Sequence, residues 1–263
     1  MTAPTTWSPP RLISNPAYRH AATFAVIAYV VWSLGTLEID WGRVSQGLPR
    51  AANMFARMVP PDFARWELLG TQLLESVLMA FAASFVGVIL AVPIGLCAAG
   101  NVAPKPIYLA ARLVIILSRT FHEIIWAIFF VKIVGFGALA GVLTLIIAST
   151  SFLSKMLAED IENMNPGQVE AVRATGASFP KILIYAITPQ VLPRYLGVSI
   201  YRLDANIRHS TVVGVVGAGG IGQVLAASFS RYDYDFSLAI LISIIALVFL
   251  GEIFSNWVRG KFR

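Results

Sequence analysis

Residues 73–99 read LLESVLMAFAASFVGVILAVPIGLCAA, a long apolar run in which Glu75 is the only charged residue. An α-helix needs roughly 20 apolar residues to cross the ~30 Å hydrocarbon core of a bilayer, and this run is long enough to do so. Its apolar residues are continuous instead of alternating with polar ones, unlike the strands of a transmembrane barrel. The run therefore predicts a membrane-spanning helix.

Further apolar runs along the chain extend this prediction to the whole sequence. We predict about six spanning helices, at 20–36, 73–99, 107–133, 138–157, 182–208 and 236–258. Of 263 residues, 57% are hydrophobic and 13% are charged, whereas about 25% are charged in a soluble domain. The sequence is therefore that of an all-α polytopic membrane protein embedded in membrane lipid.

The basic residues indicate how the chain is oriented. In the tails and short connections, nine of them lie on the side of the predicted bundle that carries both termini: Arg11, Arg19, Lys105, Lys155, Arg173, Lys181, Arg259, Lys261 and Arg263. Because cytoplasmic connections are enriched in Lys and Arg, we expect both termini to be cytoplasmic. The formal net charge of +6 then reflects orientation and not nucleic-acid binding, since the basic residues form no continuous stripe along the chain.

The single cysteine, Cys97, excludes an internal disulfide and a Cys-based metal cluster.

These signals predict a simple domain organisation. The parts are a cytoplasmic tail at 1–18, one transmembrane domain at 19–263, an outer loop at 37–72, a cytoplasmic loop at 158–181 and a Gly-rich outer segment at 209–235.

The cytoplasmic loop reads AEDIENMNPGQVEAVRATGASFPK and contains its own helix start and stop signals. Asn165 can cap a helix, Pro166 suits its first position, and Gly176 can adopt the left-handed conformation that ends one. We predict a helix at 166–175, too short to be stable alone and expected to pack on something. It could present small residues, Ala171 and Ala174 beside Val169 and Val172, to another protein. The alternative is a surface helix that only joins two spans.

This loop resembles the "EAA" loop of ATP-binding-cassette importer permeases. Glu170, Ala171, Gly176 and Pro189 match that pattern in register, and the departures are Val172, Ala186 and Thr188. The resemblance implies a type I importer permease architecture, in which the loop is a coupling helix that contacts an ATPase subunit. Glu170, Ala171 and Gly176 would then make the contact, with Arg173 able to pair with Glu170 at i,i+3.

The same resemblance implies partners. Two ATP-binding-cassette ATPase subunits would bind ATP and Mg, so no cofactor is expected in this chain, in whose sequence we find no P-loop motif. A second permease copy forming a homodimer, an extracytoplasmic substrate-binding protein and a bacterial inner-membrane location are also implied.

Residues 217–222, GAGGIG, match the letters of a dinucleotide-binding fingerprint after a strand-like run at 211–216. The context is wrong, because that fingerprint needs a βαβ unit and an acidic residue about 20 positions later. Glycines in a membrane domain instead favour close backbone packing or an irregular, re-entrant stretch.

The glycine segment also narrows the resemblance. NIRHSTVVGVVGAGGIG at 206–222, PPDF at 60–63, LLES at 73–76 and ATGASFPKILIYAITPQVLP at 174–193 resemble the permease of phosphonate importers.

Charged residues inside the predicted spans are candidate path residues, because each is costly in lipid unless paired or hydrated. The six candidates are Arg112, Arg119, Glu123, Arg202, Asp204 and Arg208. Arg119 with Glu123, and Asp204 with Arg208, are spaced i,i+4 and could simply neutralise each other. Arg112 and Arg202 would be left over and could line a path that favours an anion.

The sequence thus predicts a transport subunit, not an enzyme: the membrane subunit of an ATP-driven importer for phosphonates or similar oxyanions. Alternatives within the family are phosphate, phosphite or methionine import. A different class is a proton-coupled transporter that titrates His122, Glu123 and Asp204.

Overall fold

The computed structural model describes residues 15–37 and 40–260 of the chain. The predicted tail at 1–18 therefore lies mostly outside the described residues. The chain divides into two compact units, Met1–Asn53 and Met54–Arg263.

The first unit contains helix α1, Pro16–Thr36, and most of helix α2, Trp41–Met58. Asn15 caps α1 by accepting a hydrogen bond from the Ala17 backbone N–H at 3.0 Å, and α1 covers the predicted span at 20–36. Helix α2 occupies half of the segment that the sequence predicted as an outer loop at 37–72. That prediction missed a helix because α2 is polar on one side and contains Pro49.

All regular secondary structure in the described residues of the second unit is helical. Its helices are α3 Trp66–Cys97, α4 Lys105–Thr120, α5 Glu123–Val134, α6 Ala138–Glu162, α7 Pro166–Ala174, α8 Phe179–Ile182, α9 Thr188–Gly214, α10 Gly220–Ser230 and α11 Tyr234–Gly260. A π-helical turn at Leu183–Ile187 joins α8 directly to α9. The all-α membrane class predicted from the sequence is confirmed.

Fewer than the six predicted spans meet the length and composition that a membrane-spanning helix needs. Of the described helices, α3, α6 and α11 are long and apolar enough to cross a membrane, and the number reaches five if two bent helix pairs are each counted once. Helix α9, which holds the predicted fifth span, is not among them because it carries four charged residues: Arg194, Arg202, Asp204 and Arg208.

The predicted third span at 107–133 is not one helix. The chain bends by 90° between α4 and α5, where Phe121 and His122 have extended backbone conformations. His122 caps α5, since its Nδ1 accepts a hydrogen bond from the Ile124 N–H at 3.3 Å. Backbone outside a helix is tolerated at membrane depth only where it lies within protein or lines a polar cavity. The break at Phe121 and His122 is therefore expected to lie against protein or a polar cavity.

Helices α3 and α6 form the centre of the second unit by packing closely on small residues. A Cβ on Gly87 would lie 2.6 Å from the Cβ of Ser149, and a Cβ on Gly95 would lie 2.9 Å from Leu157. Small residues allow such close approach between membrane helices. Helix α9 packs against both α3 and α6, and two of its charged residues, Arg202 and Asp204, are buried.

Candidate functional site

The break between α4 and α5 opens onto a polar cavity of about 260 Å³, which we call the cationic cavity. Its polar lining comes from three places along the chain: Ser118, Arg119, His122 and Glu123 at the break, Ser151 on α6, and Arg202 and His209 on α9. Two guanidinium groups and one carboxylate give this lining a positive balance even when both histidines are neutral.

A buried ion pair joins α5 to α9 at one wall of the cationic cavity. The Arg202 Nη2 lies 2.9 Å from the Glu123 Oε1, and the two side chains are only 8% and 15% exposed. The His209 Nδ1 contacts the other carboxylate oxygen of Glu123. Glu123 is therefore held from two sides by residues of α9.

The position of Arg202 is fixed by a buried hydrogen-bond network. Its Nε donates to the Ser149 Oγ at 3.1 Å. The Asn206 Nδ2 donates to the same Ser149 Oγ and to the Ser84 Oγ, both at 2.8 Å. These contacts connect α3, α6 and α9, so the guanidinium cannot leave the cavity wall without losing its bonds to Ser149 and Glu123.

Arg119 is a second cation of the cavity, and its predicted partner was wrong. The sequence spacing suggested an i,i+4 pair with Glu123, but the helix breaks between them and Glu123 pairs with Arg202 instead. Within the described residues Arg119 makes no ion pair. Its guanidinium carbon lies 5.8 Å from the ring centre of Phe152, and that of Arg202 lies 5.5 Å from the same ring. Both guanidinium groups therefore lie within cation–π range of the same aromatic ring.

Arg112 does not belong to the cationic cavity, contrary to the prediction that it was a surplus cation. Its Nη2 donates to both carboxylate oxygens of Glu162 at 2.8 Å, and its Nε donates to the Ala98 carbonyl at 2.9 Å. The Glu162 Oε1 also accepts from the Gly100 N–H at 2.8 Å. Arg112 therefore fastens the end of α3 to α4 and to the end of α6.

Asp204 and Arg208 form the predicted i,i+4 pair, at 2.8 Å. The Asp204 side chain is buried, but it lines a separate and mostly apolar cavity of about 250 Å³ beside α11. Asp204 is thus separated from His122 and Glu123, with which a proton-coupled mechanism would group it.

The helix predicted at 166–175 is present as α7, Pro166–Ala174. Asn165 caps it, accepting from the Gly167 N–H at 2.9 Å, and Gly176 follows with a left-handed φ of 75°. This part of the prediction is confirmed.

The faces of α7 differ from the prediction. Val169 is 8% exposed and lies in the hydrophobic core with Tyr195 of α9, and Val172 packs against the same core. Glu170, Ala171 and Arg173 are exposed. The two valines anchor α7 to the rest of the chain, so the side of α7 that is left open is formed by Glu170, Ala171 and Arg173.

A residue that the sequence reasoning missed ties α7 to α9. The Gln190 Oε1 accepts from the Asn165 N–H at 3.0 Å, and its Nε2 donates to the Ala186 carbonyl at 2.8 Å. Pro189, a matching position of the EAA pattern, lies beside it in the first turn of α9. No sequence pattern singles out Gln190.

Glu170 and Arg173, which the i,i+3 spacing could have paired, make no ion pair with each other in this described part of the chain.

The glycine segment is a tight connection between α9 and α10. Gly217, Gly219 and Gly220 all have left-handed φ values, of 91°, 82° and 69°. The Gly220 N–H donates to the Glu75 Oε1 at 3.1 Å, and the Ile221 N–H donates to the Ser76 Oγ at 2.9 Å. The preceding run at 211–216 is helix and turn instead of the expected strand, and the described residues contain no strand for a βαβ unit. The packing interpretation of the glycines is supported.

Comparisons with known proteins agree with this architecture. Residues 91–263 match the family described as "Binding-protein-dependent transport system inner membrane component". The phosphite transport system permease protein PtxC of Stutzerimonas stutzeri is 38% identical over 244 residues, which cover 92% of this chain and 88% of PtxC. The phosphate-import permease protein PhnE of Mycolicibacterium smegmatis is also 38% identical, over 94% of this chain, but the chain spans only 48% of that relative.

The fold is shared with a solved transporter. A chain of the MetNI methionine ABC transporter, in an inward-facing conformation, superposes with a TM-score of 0.66. The alignment covers 77% of this chain and 99% of that one, at 22% sequence identity. At this identity the likeness shows the fold alone.

Proposed function

The chain belongs to the family of binding-protein-dependent transport system inner membrane components, and from that premise we propose that it imports phosphonates or a similar phosphorus oxyanion. It would form the membrane subunit of an ATP-driven importer and carry the translocation path. The oxyanion is suggested by the substrates named for PtxC and PhnE and by the resemblance of residues 206–222 to phosphonate permeases.

The single observation that carries the coupling part of this proposal is the two-sided environment of α7. Its buried side, at Val169 and Val172, is fixed to the core that contains Tyr195 of α9. Its exposed side, at Glu170, Ala171 and Arg173, is free of contacts within the chain that would cover it. A short helix anchored on one side and open on the other suits a docking groove of another protein.

The structure suggests how motion of α7 would reach the cationic cavity. The Gln190 hydrogen bond and the Val169 contact both connect α7 to the beginning of α9. Further along, α9 carries Arg202 and His209, which hold Glu123 at the cavity wall. A displacement of α7 by ATPase closure would therefore be transmitted to the cavity by one continuous helix.

The proposal includes a definite assembly. Two ATPase subunits would bind ATP and Mg and dock on the coupling helices of two permease copies, related by a two-fold axis. A substrate-binding protein would deliver the solute on the outer side. The complex would lie in the bacterial inner membrane with both termini cytoplasmic, and residues 158–181 would form the cytoplasmic coupling loop.

Ala171→Arg is expected to separate the permease from its ATPase. Ala171 is exposed on α7, so a long charged side chain there should block close approach of a partner without unfolding α7. Truncating or blocking a central interface residue costs about 2 kcal/mol or more, or roughly 30-fold in affinity. The measurement is quantitative mass spectrometry of proteins that co-purify with the chain from native membranes in mild detergent.

Ala171→Ser is the matched control, because it keeps a small side chain at the same position. We expect a P-loop ATPase to accompany the wild type and Ala171→Ser, and to be lost from correctly inserted Ala171→Arg. Equal recovery of the ATPase with all three proteins would place its docking site elsewhere. Absence of any ATPase from all three would contradict the importer proposal itself.

A further inference from the structure

We infer that the cationic cavity binds a tetrahedral oxyanion that still carries an acidic proton, with Arg119 and Arg202 as its cationic partners and Glu123 as the acceptor of that proton. The inference deepens the proposed function and rests on it for the substrate class. It adds a site within the membrane subunit that distinguishes hydrogen phosphonate, hydrogen phosphite or hydrogen phosphate from a fully ionised oxyanion such as sulfate.

The charge balance of the cavity favours an anion. Arg202 shares its charge with Glu123, whereas Arg119 has no anionic partner in the described part of the chain. The Arg119 side chain is exposed and lines the cavity, so its guanidinium is open to an incoming ligand. A bound oxyanion would supply the missing counter-charge, and guanidinium groups suit it because they donate two parallel hydrogen bonds.

The size and shape of the cavity suit a small solute. A volume of about 260 Å³ lies just below the ~300–1,000 Å³ typical of drug-sized ligand sites. Ser118 and Ser151 also line the cavity, and in this structure their hydroxyls donate to the Val114 and Ala148 carbonyls. Helix α5 begins at this cavity, at Glu123, so the positive end of its dipole also lies there. The interrupted span is thus explained by a polar site that a continuous helix would not provide.

Glu123 gives the site its selectivity. An ionised carboxylate only accepts hydrogen bonds, and each of its oxygens keeps a further lone pair after bonding to Arg202 or His209. Because these two residues hold it, Glu123 cannot turn away from an incoming ligand. An oxyanion with a P–OH group can donate to Glu123, whereas sulfate would place a negative oxygen against it. Replacing a charge-assisted hydrogen bond with like-charge repulsion is expected to weaken the binding of sulfate by about tenfold or more.

The test is a calorimetric binding titration on the purified full-length chain in lipid nanodiscs, without ATPase or binding protein. Methylphosphonate, phosphite and sulfate are the probes, at one fixed, mildly acidic pH. We expect wild type to bind methylphosphonate and phosphite at least about tenfold more tightly than sulfate. Glu123→Gln can donate as well as accept, so it should bind sulfate nearly as well as phosphite. Arg119→Gln should weaken all three probes.

Lys132→Gln is the matched control, since it removes an exposed cation of α5 that does not line the cavity. It should bind like wild type. Arg119→Gln breaks no ion pair in the described structure, and size-exclusion chromatography checks that both Arg119→Gln and Glu123→Gln are folded and monodisperse before their binding is compared.

The inference is overturned if wild type binds sulfate as tightly as phosphite, if Glu123→Gln keeps the wild-type preference, or if no probe binds. These results are independent of ATPase docking. If the ATPase co-purifies but no oxyanion binds the isolated chain, the proposed function stands and this site does not. If oxyanions bind selectively but no ATPase is found, the site stands and the importer proposal fails.

Discussion

Replacing Arg202 with methionine is expected to destabilise the folded chain by about 3–5 kcal/mol, because it leaves the buried Glu123 carboxylate without its main cationic partner. The Arg202 side chain is 8% exposed and also donates to Ser149, so water cannot replace it easily. Methionine preserves much of the side-chain length while removing the charge. The measurement is the midpoint of thermal unfolding in detergent, which should fall clearly below that of the wild type.

The double variant Arg202→Met/Glu123→Gln separates the ion pair from the packing. Removing both charges together should restore much of the lost stability, because no uncompensated charge remains. Lys155→Met is the matched control: its ion pair with Glu159 spans 3.5 Å and both side chains are 39% exposed, so its loss should cost less than ~1 kcal/mol. Equal effects of Arg202→Met and Lys155→Met would show that the buried pair does not stabilise the contact between α5 and α9.

Gly222→Ala is expected to prevent the α9–α10 connection from forming normally, at a cost of about 3 kcal/mol. A Cβ at this position would overlap the Thr211 backbone carbonyl and would lie 3.0 Å from the Gly214 Cα. Both neighbours are backbone atoms, which cannot rotate away as a side chain can. The same connection places the Ile221 N–H on Ser76, so α10 should also lose its contact with α3.

Gly197→Ala is the matched control on the same part of the chain. A Cβ at Gly197 of α9 meets nothing within 4 Å, and alanine favours helix over glycine by up to ~1 kcal/mol. We expect Gly197→Ala to unfold at or above the wild-type temperature and Gly222→Ala well below it, with a lower yield of monodisperse protein. Matching unfolding temperatures for the two variants would contradict the close packing at residues 211–222.

Local signals predicted the short helix at 166–175 well. The cap at Asn165, the proline at 166 and the glycine at 176 lie within a short stretch, and each acts through its own backbone or through residues two or three positions away. The structure places α7 at Pro166–Ala174 with this cap and this glycine. What the short stretch could not show is which side of α7 is buried, since this depends on α6, α8 and α9.

Long-range pairing was the main source of error among the charged residues. The i,i+4 rule correctly paired Asp204 with Arg208, because both lie on one unbroken helix. It failed for Arg119 and Glu123, because the helix bends by 90° between them. The true partner of Glu123 is 79 positions away, and that of Arg112 is 50 positions away. The spacing of residues along the chain cannot predict such contacts between distant helices.

Hydrophobic length, helix caps and motif letters are local properties, so the amino-acid sequence alone was enough to predict the membrane class of this protein, most of its apolar helices, the short helix at 166–175 and the family resemblance. The break in the third span, the shared cavity of Arg119 and Arg202, and the positions of Arg112 and Asp204 outside that cavity become visible only when the helices are packed together. The physical reason is that a buried charge is stabilised by whichever partner the packing of distant helices brings within reach. In this chain the packing of α9 against α3 and α6 brings Arg202 within reach of Glu123.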